Sequence, residues 1–344
     1  MRGFGFQEHG GWDRLGTVEV PEPVPGPGEV RVRIRAAAFN RLDLFTLAGI
    51  PGVTIERPHV LGSDGAGVVD RRGDGVDDLS DGEAVVINPG LWDGVCLACR
   101  AGNEALCPAY RIVGEHTQGT ATEFVVVPRR NLQPKPASLS FVEAAAAPLV
   151  FQTAWRALRT VGEVRPGARV AVIGAGGGVV PAAVQVATLL GGEVTVAARD
   201  EAKAERLRRF GARTIVPIRD DPPLDRALWA ASDKRGYDVI FDSVGAPTLP
   251  RSIRALARGG RAVVIGATAG PLASIDLRTI FWRQASIRGS TMAGAREYQE
   301  MYEHLAGGRL TPVVDSEFPL ADAAAALRRF ESPDLFGKVV VTVP

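Results

Sequence analysis

"VAVIGAGGGVVPAAVQVA", residues 170–187, reads as a strand, a glycine-rich turn and a helix. The run Val170–Ile173 is apolar without alternation, as expected of a strand buried on both faces. Gly176, Gly177 and Gly178 follow, and glycine lets a backbone bend sharply and approach a ligand closely. The apolar helix beyond offers free N–H groups and a positive dipole end at its start. A bare turn seldom needs three consecutive glycines, so this context points to the pyrophosphate of a dinucleotide.

The same rhythm continues outward. "EVTVAAR" (193–199), "RTIVPI" (213–218), "YDVIFDSVG" (237–245) and "RAVVIGA" (261–267) alternate with helical segments, the last of these being "TLPRSIRALARGG" (248–260). Apolar strands alternating with helices imply a doubly wound parallel sheet of the Rossmann type. Before about residue 130 the texture differs. "GEVRVRIRAAAF" (28–39) sets Val and Ile against Glu and Arg with a period of two, and "EAVVINPG" (83–90) and "ATEFVVVP" (121–128) are similar. Turn-rich stretches separate them, so this part is an all-β module. Between the two, Ser140 and Glu143 form a capping box at the head of a helix-forming segment.

The chain has 344 residues, 46% apolar and 23% charged, with a formal net charge of +1. That length suits two domains, and that balance gives no global field to draw nucleic acid or an anionic membrane. No apolar run approaches the ~18 residues that span a bilayer. The N-terminal residues show no apolar signal core, and three clustered cysteines point to metal in a reducing cytoplasm.

Two further stretches carry chemistry. The tip of "EVTVAAR" reads Ala197, Ala198, Arg199 where an NAD site places an acidic residue; Arg199 suits the 2′-phosphate of NADPH, and Lys203 one turn later can assist. Asp200 reads as the cap of the next helix. "DGVCLACRAGNEALC" (93–107) spaces Cys96, Cys99 and Cys107 like a metal loop lacking one ligand.

Taken together these motifs, with "GEVRVRIRAAAFNRLDL", "VLGSDGAGVV", "AAAAPLVFQTAWRAL" and "FDSVGAPTL", resemble in order the medium-chain dehydrogenase/reductases, which include zinc alcohol dehydrogenases and zinc-free quinone reductases. The resemblance implies an α/β protein: a GroES-like β-barrel catalytic domain (1–140 and 286–344), a Rossmann domain (141–285), and a cofactor in the cleft between them. It places Arg41, Ala175, Val179, Val180, Ser243 and Val244 at the dinucleotide, together with the three glycines, Gly266, Ala267, Ser290 and Thr291. Thr153 falls where a residue lies against the nicotinamide. Val180 stands in place of the last glycine of the turn, where a branched side chain can displace the helix or crowd the pyrophosphate.

The family's catalytic-zinc positions fall on Asn40, Ser63 and Leu149, poor ligands all, and its hydroxyl relay falls on Leu42. None of the four histidines stands at a ligand position. "Asn40-x-x-Asp43" resembles the zinc-free branch. That branch implies hydride transfer from NADPH to a quinone or an α,β-unsaturated carbonyl, with Asn40 either donating to the acceptor oxygen or bonding backbone at the strand end. The structural-zinc lobe of the family falls on Asp93, Cys96, Cys99 and Cys107, a closed site that does no catalysis. A small-molecule substrate and a homodimer built on the segment 280–292 complete the expectation. Two other readings are a zinc-dependent alcohol dehydrogenase, which needs a second zinc, and a non-enzymatic nucleotide-binding relative.

Overall fold

The computed structural model describes residues 1–344. Its contacts divide the chain into two units, Met1–Leu149 with Gly294–Pro344, and Val150–Ala293.

The first unit is built on the long strand Glu29–Phe39. It pairs antiparallel with Asp64–Arg72, Phe124–Pro128 and the C-terminal strand Lys338–Thr342. Val30, Val32 and Ile34 point inward and are fully buried. Arg31 and Arg33 alternate with them and share Asp70 across the pair, at 2.6 and 2.7 Å. The helix Arg41–Ala48 follows that strand directly, and Asn40 is its N-cap residue. The capping box expected at Ser140 is present: the Ser140 N–H donates to Glu143 at 2.8 Å, and Oγ accepts the Glu143 N–H at 3.2 Å. The helical segment it opens is short, Phe141–Ala145, and a second helix starts at Pro148. Proline lacks the N–H that would continue the first.

The second unit holds six parallel strands, in the spatial order Ala212–Pro217, Glu193–Ala198, Arg169–Ile173, Tyr237–Asp242, Leu256–Val264 and Ser286–Gly289. By chain order this is 3-2-1-4-5-6, so the order reverses between Arg169–Ile173 and Tyr237–Asp242. Ligands of open α/β sheets bind beyond the carboxyl ends of the strands at such a reversal. Two expectations need correction. Ser286–Gly289 pairs with Leu256–Val264 as the sixth strand, so the second unit runs past residue 285 to Ala293 and begins at Val150 rather than 141. "LARGGRAVV" is one strand from Leu256, because Tyr237 already pairs with Leu256; the helix before it ends as a single 3-10 turn, Ile253–Ala255. No helix is long and apolar enough to cross a membrane.

Candidate active site and metal lobe

At the reversal point of the sheet, strand Arg169–Ile173 leaves through Gly174, whose φ of +108° lies where a side chain is strained. Gly177 has φ +66° and open space on its Cβ side, and Gly178 caps the helix Val179–Leu189. This turn fits a pyrophosphate: its backbone is uncovered and the helix N-terminus stands behind it. Val180 is buried behind the first residue of the turn. It is 2% exposed, and its Cγ2 would lie 3.5 Å from a Cβ on Gly174, an ordinary contact. The branched residue expected to displace the helix therefore packs in the core without crowding Gly174.

The remaining cofactor candidates lie beyond neighbouring strands of the same sheet. Ser243 and Val244 follow Asp242, whose buried carboxylate accepts the N–H groups of Val244 and Gly245 and the Thr248 hydroxyl at 2.8–2.9 Å. Burial pushes that carboxyl's pKa up while the three donors oppose it. Gly266 and Ala267 follow Val264. Ser290, after the sixth strand, keeps a buried hydroxyl without a partner, a second feature that suits a polar ligand. Ala175 and Gly176 belong to the turn itself. Thr291 is exposed, and Thr153 is buried on the helix Pro148–Trp155. Arg199 is exposed, whereas Asp200 caps the next helix through the Lys203 N–H at 3.0 Å. The Lys203 ammonium lies 3.8 Å from the same carboxylate. Arg41, in the first unit, is exposed at the start of its helix.

In the first unit the sequence-predicted Asn40 is only 7% exposed, and its side chain is committed. Its Nδ2 donates to Asp64 Oδ2 at 2.9 Å, and its Oδ1 accepts Lys338 Nζ at 2.6 Å. Lys338 also donates to Asp64 Oδ2 at 2.6 Å. Asp64 Oδ1 accepts the Leu149 N–H at 2.7 Å. Ser63, beside it in sequence, is fully buried with its hydroxyl unpaired. Of the three positions where the resemblance places zinc ligands, Asn40 and the Leu149 N–H bond one buried ammonium–carboxylate pair, and Ser63 adjoins Asp64 in sequence. None of them presents a thiolate, imidazole or carboxylate. Asp43 is a brace: its carboxylate accepts the N–H groups of Asn40 at 2.6 Å and Gly62 at 2.7 Å. His59 donates Nε2–H to the Gly114 carbonyl at 3.0 Å, and burial lowers its pKa. Lys338 and Asp64 escaped sequence reasoning, because they look like an ordinary strand lysine and a turn aspartate.

The cysteine loop brings together what its spacing implies. One ligand atom from each of Asp93, Cys96, Cys99 and Cys107 lies within 4.8 Å of the others. That fits a tetrahedral zinc with three thiolates and one carboxylate. Asp93 Oδ1 accepts the N–H groups of Val95 and Cys96 at 2.8 and 3.0 Å, which depress its pKa and leave Oδ2 to a metal. Burial pushes the Cys99 thiol up to about 12.

Comparison with known proteins agrees with this geometry. Residues 26–137 match the family described as "Alcohol dehydrogenase GroES-like domain", and residues 178–307 match "Zinc-binding dehydrogenase". The acryloyl-coenzyme A reductase of Metallosphaera sedula is 32% identical, over 94% of this chain and 95% of that one. A crystal structure described as an NAD-dependent alcohol dehydrogenase superposes with a TM-score of 0.95 at 43% identity, covering 100% of both chains. A cobalt- and zinc-bound thermostable alcohol dehydrogenase from Pyrobaculum aerophilum gives 0.88 at 35%, again over 100% of both.

Proposed function

The chain belongs to the medium-chain dehydrogenase/reductase superfamily and is an NAD(P)-dependent oxidoreductase, and from that premise we propose that it reduces a conjugated carbonyl, an enone or quinone, with NADPH and without a catalytic zinc. The observation that carries the reading is the packing around Asp64: Asn40 and the Leu149 N–H are spent on a buried Lys338–Asp64 pair, and the third position, Ser63, offers only a hydroxyl.

Bound at the glycine turn, NADPH supplies a hydride; the chain binds it, orients it and excludes water. Gly174–Gly178 and the helix behind them would hold the pyrophosphate, Ser243, Gly266 and Ser290 would line it, and Thr153 would meet the nicotinamide. A conjugated acceptor spreads the added charge onto its oxygen, so it requires less Lewis-acid help than a simple ketone. Asn40 retains one amide hydrogen beyond the one given to Asp64, and that hydrogen serves the acceptor oxygen. Zinc belongs to the Asp93 lobe, where it is structural.

The test is loss of NADPH absorbance on mixing chelator-treated protein with a para-quinone or a simple enone. Rapid consumption supports the reading; consumption restored only by added zinc sinks it. A second reading, alcohol oxidation with NAD, is favoured by the 43% identity to a protein so described. It requires alcohol-dependent NAD reduction in the same assay. For cofactor choice, Arg199→Ala should lower kcat/KM for NADPH by about 10- to 100-fold and leave NADH unchanged, the loss of one charge-assisted contact. Equal loss with both cofactors would remove Arg199 from the 2′-phosphate.

The protein is a homodimer in this reading. Ser286–Gly289 is an edge strand with one neighbour, and Phe281, Trp282 and Ile287 around it are exposed. An unpaired edge with apolar flanks is commonly covered by a second copy. Phe281→Asp should halve the mass seen by sedimentation; a monomeric wild type would refute the dimer.

A further inference from the structure

The adenosine end of the dinucleotide site carries more charge than Arg199 alone, and all of it lies within the second unit. Strand Glu193–Ala198 runs parallel to Ala212–Pro217, with Ala198 opposite Pro217. The pairing goes one step further, because the Ile218 N–H donates to the Ala198 carbonyl at 2.8 Å. Arg199 and Arg219 therefore leave the sheet on two adjacent strand ends, and neighbouring strands stand about 4.8 Å apart. Both residues are exposed. Their side chains are held differently. Arg219 Nη2 bonds Glu201 Oε1, so its guanidinium is drawn across to the segment that carries Arg199. Asp200 is engaged elsewhere: it accepts the Lys203 N–H at 3.0 Å, with the Lys203 ammonium 3.8 Å away. No ion pair or hydrogen bond holds the Arg199 side chain. Arg199, Lys203 and Arg219 thus outnumber the two carboxylates among them, Asp200 and Glu201. The Arg219 and Glu201 side chains are 60% and 51% exposed. An ion pair that open adds little to folding, so the guanidinium is free to change partner.

Resting on the NADPH reading above, we propose that Arg219 is a second ligand of the 2′-phosphate and that Glu201 is its resting counter-ion. A phosphate monoester carries about 1.5 to 2 negative charges at neutral pH. One arginine neutralises only part of that, and each guanidinium offers paired N–H donors to two phosphate oxygens. When the 2′-phosphate arrives, Arg219 leaves Glu201 for it and Glu201 turns to water. A 2′-hydroxyl has no charge to draw the guanidinium away, so with NADH the Arg219–Glu201 pair persists. Selectivity then comes from the exchange of one counter-ion for another.

The experiment measures binding rather than turnover. The full chain is titrated by calorimetry with adenosine 2′,5′-bisphosphate and with adenosine 5′-monophosphate, which differ only in the 2′-phosphate. Wild type, Arg219→Gln, Arg219→Lys and Glu201→Gln are compared, and their melting temperatures check that these exposed substitutions leave the fold intact. Wild type should favour the bisphosphate. Arg219→Gln should bind the bisphosphate about 10-fold more weakly and the monophosphate as before, the loss of one exposed charge-assisted contact. Arg219→Lys should recover part of that loss, because it restores the charge without the fork. Glu201→Gln should bind the bisphosphate about 3-fold more tightly, because the phosphate no longer competes with a carboxylate for Arg219. Two results overturn the proposal alone: an Arg219→Gln that keeps the full wild-type preference, or a Glu201→Gln that weakens the monophosphate, which would make Glu201 an acceptor for the ribose hydroxyls. A wild type that binds the two nucleotides equally would instead overturn the NADPH reading, and the proposal with it.

Discussion

Lys338→Met should cost about 3–5 kcal/mol of folding stability, the usual loss when one partner of a buried ion pair is removed. Lys338 is 3% exposed and Asp64 fully buried, so no water replaces the missing ammonium. Asp64 would keep two neutral donors, the Leu149 N–H and the Asn40 amide, against a full charge. Asn40 Oδ1 would lose the Lys338 ammonium as its donor. Against a typical total of about 5–15 kcal/mol, that loss is a large fraction. The strand Lys338–Thr342 is also the antiparallel neighbour of Ala36–Phe39, so the injury falls at the centre of the first unit. Adding Asp64→Asn to Lys338→Met should recover much of the loss, because the amide removes the charge and still accepts from Leu149. Urea melts of the four proteins form a double-mutant cycle. A single Lys338→Met within about 1 kcal/mol of wild type would mean that Asp64 is not held as a charge, and would remove the observation on which the zinc-free reading rests.

The sequence showed the parts of this site whose partners are local. The glycine turn and its flanking strand and helix lie within eighteen residues, 170–187, and the period change between strand and helix marks them. The metal lobe was legible for the same reason: its four candidate ligands lie within 93–107. Lys338 was not legible, because its partners Asp64 and Asn40 stand 274 and 298 residues away, and only the pairing of the C-terminal strand with Glu29–Phe39 joins them. In "GEHTQG" attention falls on His116, the residue type that most often titrates near neutral pH. The structure places Glu115 deeper, 8% exposed beside a half-buried His116, and no local pattern marks that burial. The edge strand Ser286–Gly289 lies within the segment 280–292 on which the sequence places the dimer edge, but short, half-polar "SIRG" does not mark where the domain ends, and its pairing with Arg261–Val264 carries the unit on to Ala293.

Metal removal separates the structural lobe from the chemistry. Purified protein should hold one zinc per chain, and Cys99→Ser should hold almost none, because serine offers no thiolate to complete the four-ligand site. The lobe has little else to keep it folded. Trp92, Cys99 and Cys107 are its buried apolar residues, while Val95, Leu97 and Leu106 are 65%, 86% and 62% exposed. Binding a structural zinc supplies folding free energy of order 10 kcal/mol in small zinc domains, so its loss should open 93–107 to protease well before the rest of the chain. Glu104 accepts the Ala295 N–H at 3.0 Å, and that tie to the helix Ala295–Ala306 should loosen with it. Turnover per folded molecule should survive, because a site closed by four protein ligands leaves no position for substrate. Two zincs per chain, or activity that vanishes with the metal while the lobe stays protected, would point to a second, catalytic ion and to the alcohol dehydrogenase reading. No zinc and no protease sensitivity in either protein would mean that Asp93 and the three thiols hold the loop through their own hydrogen bonds.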